Sequence, residues 1–325
     1  MENITLRKIP NGDEYSDYMQ YYTYFYEEQN RNSFMDISVL PATIILCIVI
    51  ILSLIGNTLV VVISVFYMRL RSVTCIFILN LALSDLLFTV GLPFWVCGYI
   101  WGWTFREATC KVIHFVFSAG FYSSMVFLVL MSIQRYMAVV HPLSRWKKGR
   151  CFTCIVVCAW VVSILAALPD TVHTVAYPES GGCMYSSVTA LVAIQYEYII
   201  VFVCAFLVMA FCYIRILQTI FKSLTNRRHR TTGLAFFLVA TFFICWAPYN
   251  IMNFLMTLTE LQNLKYIYAF YICTLLASTQ CCLYPVIYGL FGLKFRKSAW
   301  EIFQRRATLN SEQIGIGERQ SDSCV

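Results

Sequence analysis

The chain has 325 residues, of which 59% are hydrophobic and only 13% charged, and its mean hydropathy is +0.68. Soluble domains carry about a quarter charged residues, so there is too little polar surface here to cover two soluble domains, and the chain reads as a membrane protein. The net charge of +7 is spread unevenly, in a way that fits topological anchoring and leaves little basis for nucleic-acid binding.

In chain order, residues 1–38 form an acidic, tyrosine-rich tail expected outside the cell. Asp13, Glu14, Asp17, Glu27 and Glu28 are interleaved with Tyr15, Tyr18, Tyr21, Tyr22, Tyr24 and Tyr26, and no Lys or Arg falls between residues 11 and 30. Such a tail attracts a basic protein partner and speeds encounter; the alternative is a solvated tail with no binding role. Asn3-Ile4-Thr5 is a glycosylation acceptor pattern. No apolar stretch precedes residue 35, so no cleavable signal peptide is read, and the first helix is expected to direct its own insertion.

Apolar stretches follow near residues 39–66, 73–100, 108–140, 152–172, 190–220, 232–258 and 266–290. A helix of about 20 apolar residues crosses a hydrocarbon core of about 30 Å, and in lipid the backbone must satisfy its own hydrogen bonds. No stretch alternates as barrel strands do. The expected fold is an all-α membrane protein, a seven-transmembrane helix bundle over 39–290. A short amphipathic helix on the inner leaflet is expected over 291–305, with Phe295, Ala299 and Phe303 set against Lys294, Lys297 and Arg305. The polar tail over 306–325 follows.

Basic residues orient the bundle. Of the 24 Lys and Arg, only Arg7, Lys8, Arg31, Arg106, Lys111 and Lys265 fall on the face that carries the N-terminus. That face is therefore extracellular, and the C-terminus is cytoplasmic, in a multi-pass plasma-membrane protein. Of the 15 cysteines, Cys110 and Cys183 fall in predicted outer segments at the ends of spans. Oxidising surroundings favour pairing them, the alternative being that both stay free. The other cysteines suggest no metal site. Asp85 is ionisable in mid-membrane and must find partners inside the bundle; Asn57, Ser124 and Trp246 are its expected neighbours. Trp246 and Pro248 share one turn of helix 6, where proline removes a backbone bond and makes a hinge for an outward swing.

These residues carry a resemblance. Gly56-Asn57, the string from Leu79 to Asp85, Cys110, Arg135-Tyr136, Trp160 and Cys245-Trp246-Ala247-Pro248 resemble, one set per helix, the marks of rhodopsin-like G-protein-coupled receptors. Within that class Leu92-Pro93-Phe94-Trp95, Trp103 and Gln280-Cys281-Cys282-Leu283 resemble chemokine receptors. Trp101-Gly102-Trp103, the string from Arg227 to Thr231 and Ala247-Pro248-Tyr249-Asn250 resemble their lymphotactin (XC-type) branch.

The resemblance implies a basic chemokine as ligand, a heterotrimeric G protein of inhibitory type as partner, and arrestin after phosphorylation at Thr308, Ser311, Ser321 or Ser323. It implies sulfation of Tyr15 and Tyr18, which with Asp17 and Trp103 would meet the chemokine. A pocket for the chemokine N-terminus is implied among Trp95, Tyr122, Glu197, Tyr249 and Thr274, where Glu197 either pairs with a ligand amine or is a hydrated carboxylate. Coupling and activation would rest on Arg135, Tyr136, Tyr213, Trp246, Pro248, Pro285 and Tyr288. A sodium ion is implied near Asp85 and Ser124, against a purely structural hydrogen-bond network. The terminal Ser323-Cys324-Val325 would fit a PDZ groove.

Departures are informative. The acidic residue usual before Arg135 is Gln134, and the Asn usual before Pro285 is Tyr284, which removes an amide partner of Asp85 and disfavours sodium. Thr274 replaces an acidic anchor. Gln134 and Tyr284 leave open a scavenging or ligand-independent receptor as the second reading. An opsin would need a lysine between Tyr266 and Leu290, and an amine receptor an acid among Phe115, Val116, Phe117 and Ser118; neither is present. A transporter or channel, the remote alternative, would need an internal repeat and charge-lined helices. The four histidines are scattered and no catalytic constellation is visible.

Overall fold

The computed structural model describes residues 33–67, 72–101, 103–141, 150–177, 182–222, 229–258, 264–292 and 300. The acidic tail with Asn3, Tyr15, Asp17 and Tyr18 lies outside them, as do most of the segment over 291–305 and the final tail.

Seven helices form the bundle: α1 (Ser33–Val62), α2 (Val73–Trp101), α3 (Glu107–Val140), α4 (Arg150–Val172), α5 (Val188–Lys222), α6 (His229–Leu258) and α7 (Leu264–Phe291). A π-helical turn, Ile63–Tyr67, prolongs α1. Each helix holds an apolar span long enough to cross a membrane; the shortest, Phe152–Val172 with 21 residues, is about 30 Å long at 1.5 Å per residue. Apolar side chains on the outside of α1, Ile44, Ile48, Ile51 and Ile55, are exposed, as a lipid-facing helix requires.

Of the spans, α3 is the most enclosed and α4 the least. The sequence of α3 explains this, because Ser118, Ala119, Gly120, Ser123, Ser124 and Ser132 are all buried and small residues let helices approach closely. The approach is tightest at Gly120, where a Cβ would stand 2.8 Å from Phe88 Cβ and 2.9 Å from Phe88 N on α2. About two turns further along α2, Trp160 Nε1 on α4 donates to Asn80 Oδ1 at 2.8 Å, and the Trp160 ring lies 5.7 Å from Phe127 on α3, so three helices meet there. A Cβ at Gly56 on α1 would likewise stand 2.8 Å from the Pro285 ring on α7.

Between α4 and α5 the chain forms an antiparallel hairpin of β1 (Thr174–Tyr177) and β2 (Gly182–Tyr185), with Thr174 opposite Tyr185 and Ala176 opposite Cys183. The sequence reading assigned no strand to this outer loop. Four residues a side are too few for a marked period-2 pattern, although β-branched Thr174 and Val175 and aromatic Tyr177 and Tyr185 suit strands.

Candidate functional site

The outer end is organised by the disulfide. Cys110, in the first turn of α3, is bonded to Cys183 of β2 with Cα atoms 5.7 Å apart, as expected. A small separate core of Trp103, Ile113 and the two cysteines surrounds it, with Phe94, Trp95 and Phe105 packed against it. Trp103, grouped with the ligand contacts by sequence, is only 4% exposed and its ring lies 5.3 Å from Phe105 and 6.4 Å from Trp95. The structure gives it an anchoring position beneath the loop.

The residues expected to form a pocket fall into two pairs and one outlier. On α3 and α5, Tyr122 OH donates to Glu197 Oε1 at 3.3 Å, and the Tyr122 ring stacks on Tyr198 at 5.2 Å and 14°. On α6 and α7, Tyr249 stands 5.6 Å from Phe270, whose carbonyl accepts from Thr274 Oγ1 at 2.9 Å. Trp95 belongs to the outer cluster and meets His114 at 5.5 Å. Glu197 is partly buried and has no ion-pair partner among the described residues. A carboxylate in such a place, with no counter-charge among the described residues, is available to pair with a cation.

A second acidic group was missed by sequence reasoning. Asp170, in the last turn of α4, is 3% exposed. Its Oδ1 receives Tyr185 OH at 2.7 Å and lies 3.2 Å from His114 Nδ1. Its Oδ2 receives Ser118 Oγ and, at 3.3 Å, Tyr198 OH. Burial, and then the neighbouring Asp170 charge, push the Tyr185 phenol well above its ordinary pKa, which keeps it a donor. The available signal was a lone Asp inside the apolar stretch 152–172, since an ionisable group in a span is functional or paired by default.

Deeper, Asp85 Oδ1 accepts from Ser124 Oγ and Gln280 Nε2, each at 3.2 Å. Of the expected neighbours of Asp85, Ser124 bonds it directly, whereas the bonds of Asn57 and Trp246 go elsewhere. Asn57 Nδ2 is taken by the Cys281 carbonyl at 2.8 Å and by Ser53, and Trp246 Nε1 donates to Gln280 Oε1 at 3.3 Å. Gln280 therefore bridges Trp246 to Asp85. Asp85 Oδ2 and Asn57 Oδ1 remain buried without a partner, and Tyr284 is fully buried. Trp246 itself is held by rings, with Phe121 at 4.4 Å, Phe88 at 5.8 Å and Tyr249 at 5.7 Å. Pro248 follows it inside α6, as Pro285 lies inside α7.

At the end of the bundle opposite the disulfide Arg135 is buried, and its Nη2 donates to Thr74 Oγ1 of α2. Its Nε and Gln134 Oε1 have no partner, and no carboxylate pairs with Arg135 among the described residues. Tyr213 of α5 lies within electrostatic range of Arg135 and meets Phe236 of α6 at 5.5 Å. Tyr288 of α7 is buried. Tyr136 turns away from this group: its OH is 3.1 Å from His141 Nε2 and its ring 5.8 Å from Phe211.

Seven apolar spans, a disulfide-tied hairpin at one end, a tryptophan beside a helix proline and a buried arginine at the other end are the arrangement of a transmembrane receptor. The family model "7 transmembrane receptor (rhodopsin family)" matches residues 56–288. The chain is 41% identical over 286 residues to "Chemokine XC receptor 1" of Homo sapiens, covering 84% of this chain and 85% of the relative. The Mus musculus protein of the same name is 37% identical over 302 residues, covering 88% of this chain and 92% of the relative. "C-C chemokine receptor type 8" of Mus musculus is 32% identical over 284 residues, covering 82% and 80%. The chain thus belongs to the rhodopsin family of seven-transmembrane receptors and, within it, to the chemokine receptors. It is a multi-pass plasma-membrane receptor and not an enzyme.

Proposed function

We propose that this receptor binds a basic chemokine of the XC class, the class named for the human and mouse relatives, and signals through an inhibitory-type heterotrimeric G protein. The acidic tail over 1–38 captures the chemokine outside the cell, aided by Asp17 and sulfated Tyr15 and Tyr18, and Asn3 carries glycan. The distribution of Lys and Arg supports an extracellular N-terminus. The observation that carries the reading is Glu197, a carboxylate in the outer bundle held by Tyr122 OH at 3.3 Å and without a cation partner among the described residues. The free amine of a chemokine N-terminus supplies that cation. Capture of that amine shifts the balance of states at Trp246, and α6 bends outward at Pro248.

On the inner side, Arg135, Tyr213 and Tyr288 meet the G protein, the phosphorylated tail meets arrestin, and the segment over 291–305 lies on lipid. A sodium ion beside Asp85 and Ser124 is supported by two orphaned buried oxygens, Asp85 Oδ2 and Asn57 Oδ1, and opposed by the buried bulk of Tyr284.

The test is inhibitory G-protein activation in cells expressing the chain, with and without a chemokine panel. A response to XC chemokines that Glu197→Gln weakens at unchanged surface number supports the reading. A response that Glu197→Gln leaves intact removes the role of Glu197. The absence of a carboxylate beside Arg135 among the described residues favours a second reading, a scavenging or ligand-independent receptor; chemokine uptake without any G-protein response would establish the scavenger, and a full ligand-free signal the ligand-independent form.

A further inference from the structure

Asp170 does more than satisfy its own burial. Each of its carboxylate oxygens has two partners, drawn from α3 (His114, Ser118), β2 (Tyr185) and α5 (Tyr198). Its backbone carbonyl also accepts from Thr174 Oγ1, at the start of β1, at 2.6 Å. An occupied, buried carboxylate has no capacity left for a ligand, so this group is a junction and not a binding group. Both strands of the hairpin are fastened to it, and Tyr185 stands two residues from the disulfide cysteine Cys183.

The inward side of the junction leads to the α6 bend. Tyr198 OH lies 2.6 Å from Ser118 Oγ as well as bonding Asp170, which sets the tilt of its ring. That ring stacks on Tyr122 and lies 5.3 Å from Phe121, and Phe121 lies 4.4 Å from Trp246. The route from hairpin to Trp246 therefore runs through Tyr185, Asp170, Tyr198 and Phe121, and Glu197 joins it only from the side, through Tyr122.

We propose that Asp170 is a positioning residue for activation, coupling displacement of the outer hairpin to Trp246 through Tyr198 and Phe121. The inference rests on the signalling reading above, in which α6 moves. Contiguity alone does not establish coupling; a thermodynamic cycle does.

The experiment uses the full chain in living cells, with a luciferase after Val325 and a fluorescent acceptor inserted between Asn226 and Arg227. Energy transfer then reports the inner end of α6 without ligand or G protein, normalised to an N-terminal epitope at the surface. Asp170→Asn keeps the shape and removes the charge, while Tyr185→Phe and Ser118→Ala each remove one hydroxyl. Asp170→Asn and Tyr185→Phe are expected to shift the ligand-free ratio in the same direction. Loss of a hydrogen bond to a charged group, where it is made in only one state, corresponds to a change of roughly 10- to 150-fold in the balance of states. The Tyr185→Phe shift is expected to vanish in a Phe121→Leu background. Wild-type ratios in surface-expressed Asp170→Asn and Tyr185→Phe overturn the proposal, as does a Tyr185→Phe shift that persists undiminished with Phe121→Leu. If Asp170→Asn does not reach the surface, the two hydroxyl deletions decide on the same criteria. A ratio that responds to Tyr185→Phe in a receptor that no chemokine activates counts against the signalling reading alone.

Discussion

Replacing Thr74 by valine removes the oxygen that the Arg135 guanidinium reaches from the inner end of α3 to α2. Valine keeps the volume and branching of threonine, so the change is chiefly the loss of one acceptor. A hydrogen bond to a charged group contributes about 1.5–3 kcal/mol net. If the bond is made only while Arg135 is held in the bundle, its loss shifts the held-to-released ratio by roughly 10- to 150-fold. A released state populated at about 1% would then rise to about 10–60%. The check is ligand-free nucleotide exchange on a G protein in membranes, per surface receptor. Thr74→Val is expected to raise it severalfold or more and Thr74→Ser to leave it unchanged. An unaltered basal rate in Thr74→Val would refute the reasoning, and an equal rise in Thr74→Ser would assign the effect to packing.

Gln134→Asp acts in the opposite sense. A carboxylate about 4 Å from Arg135 at an effective dielectric near 20 attracts by about 4 kcal/mol before its own desolvation is subtracted, so ligand-free signalling should fall, and an unchanged signal counts against a holding role. Gly120→Ala forces a methyl to within 2.8 Å of Phe88 and should destabilise by about 1–3 kcal/mol; Gly233→Ala, with nothing within 4 Å, is the control, and equal melting temperatures for the two variants would contradict the packing. Cys183→Ser opens a loop of 73 residues, for which chain entropy sets a ceiling of about 4 kcal/mol. The inserted helices reduce that figure, and the expected outcome is a lowered melting temperature that wild type reproduces on reduction.

Much of this receptor is legible in its sequence, because insertion into a bilayer is governed by the hydropathy of local runs of about 20 residues. The seven spans, the Cys110–Cys183 pair and the family marks around Arg135, Trp246 and Pro285 all follow from neighbours in the chain or from motifs of a few residues. The partners of buried polar groups do not. Asp85 takes its amide from Gln280, 195 residues away, where sequence reasoning looked to Asn57 and Trp246. Asp170 meets His114 across 56 residues and Tyr185 across 15. Those meetings depend on how each helix is rotated about its axis and how closely α2 and α3 approach at Gly120. In a span that is apolar on nearly every side, hydrophobic periodicity carries little information about rotation. Packing of small residues, the disulfide and the hairpin decided it, and with it which acidic group became a junction, Asp170, and which was left without a counter-charge among the described residues, Glu197.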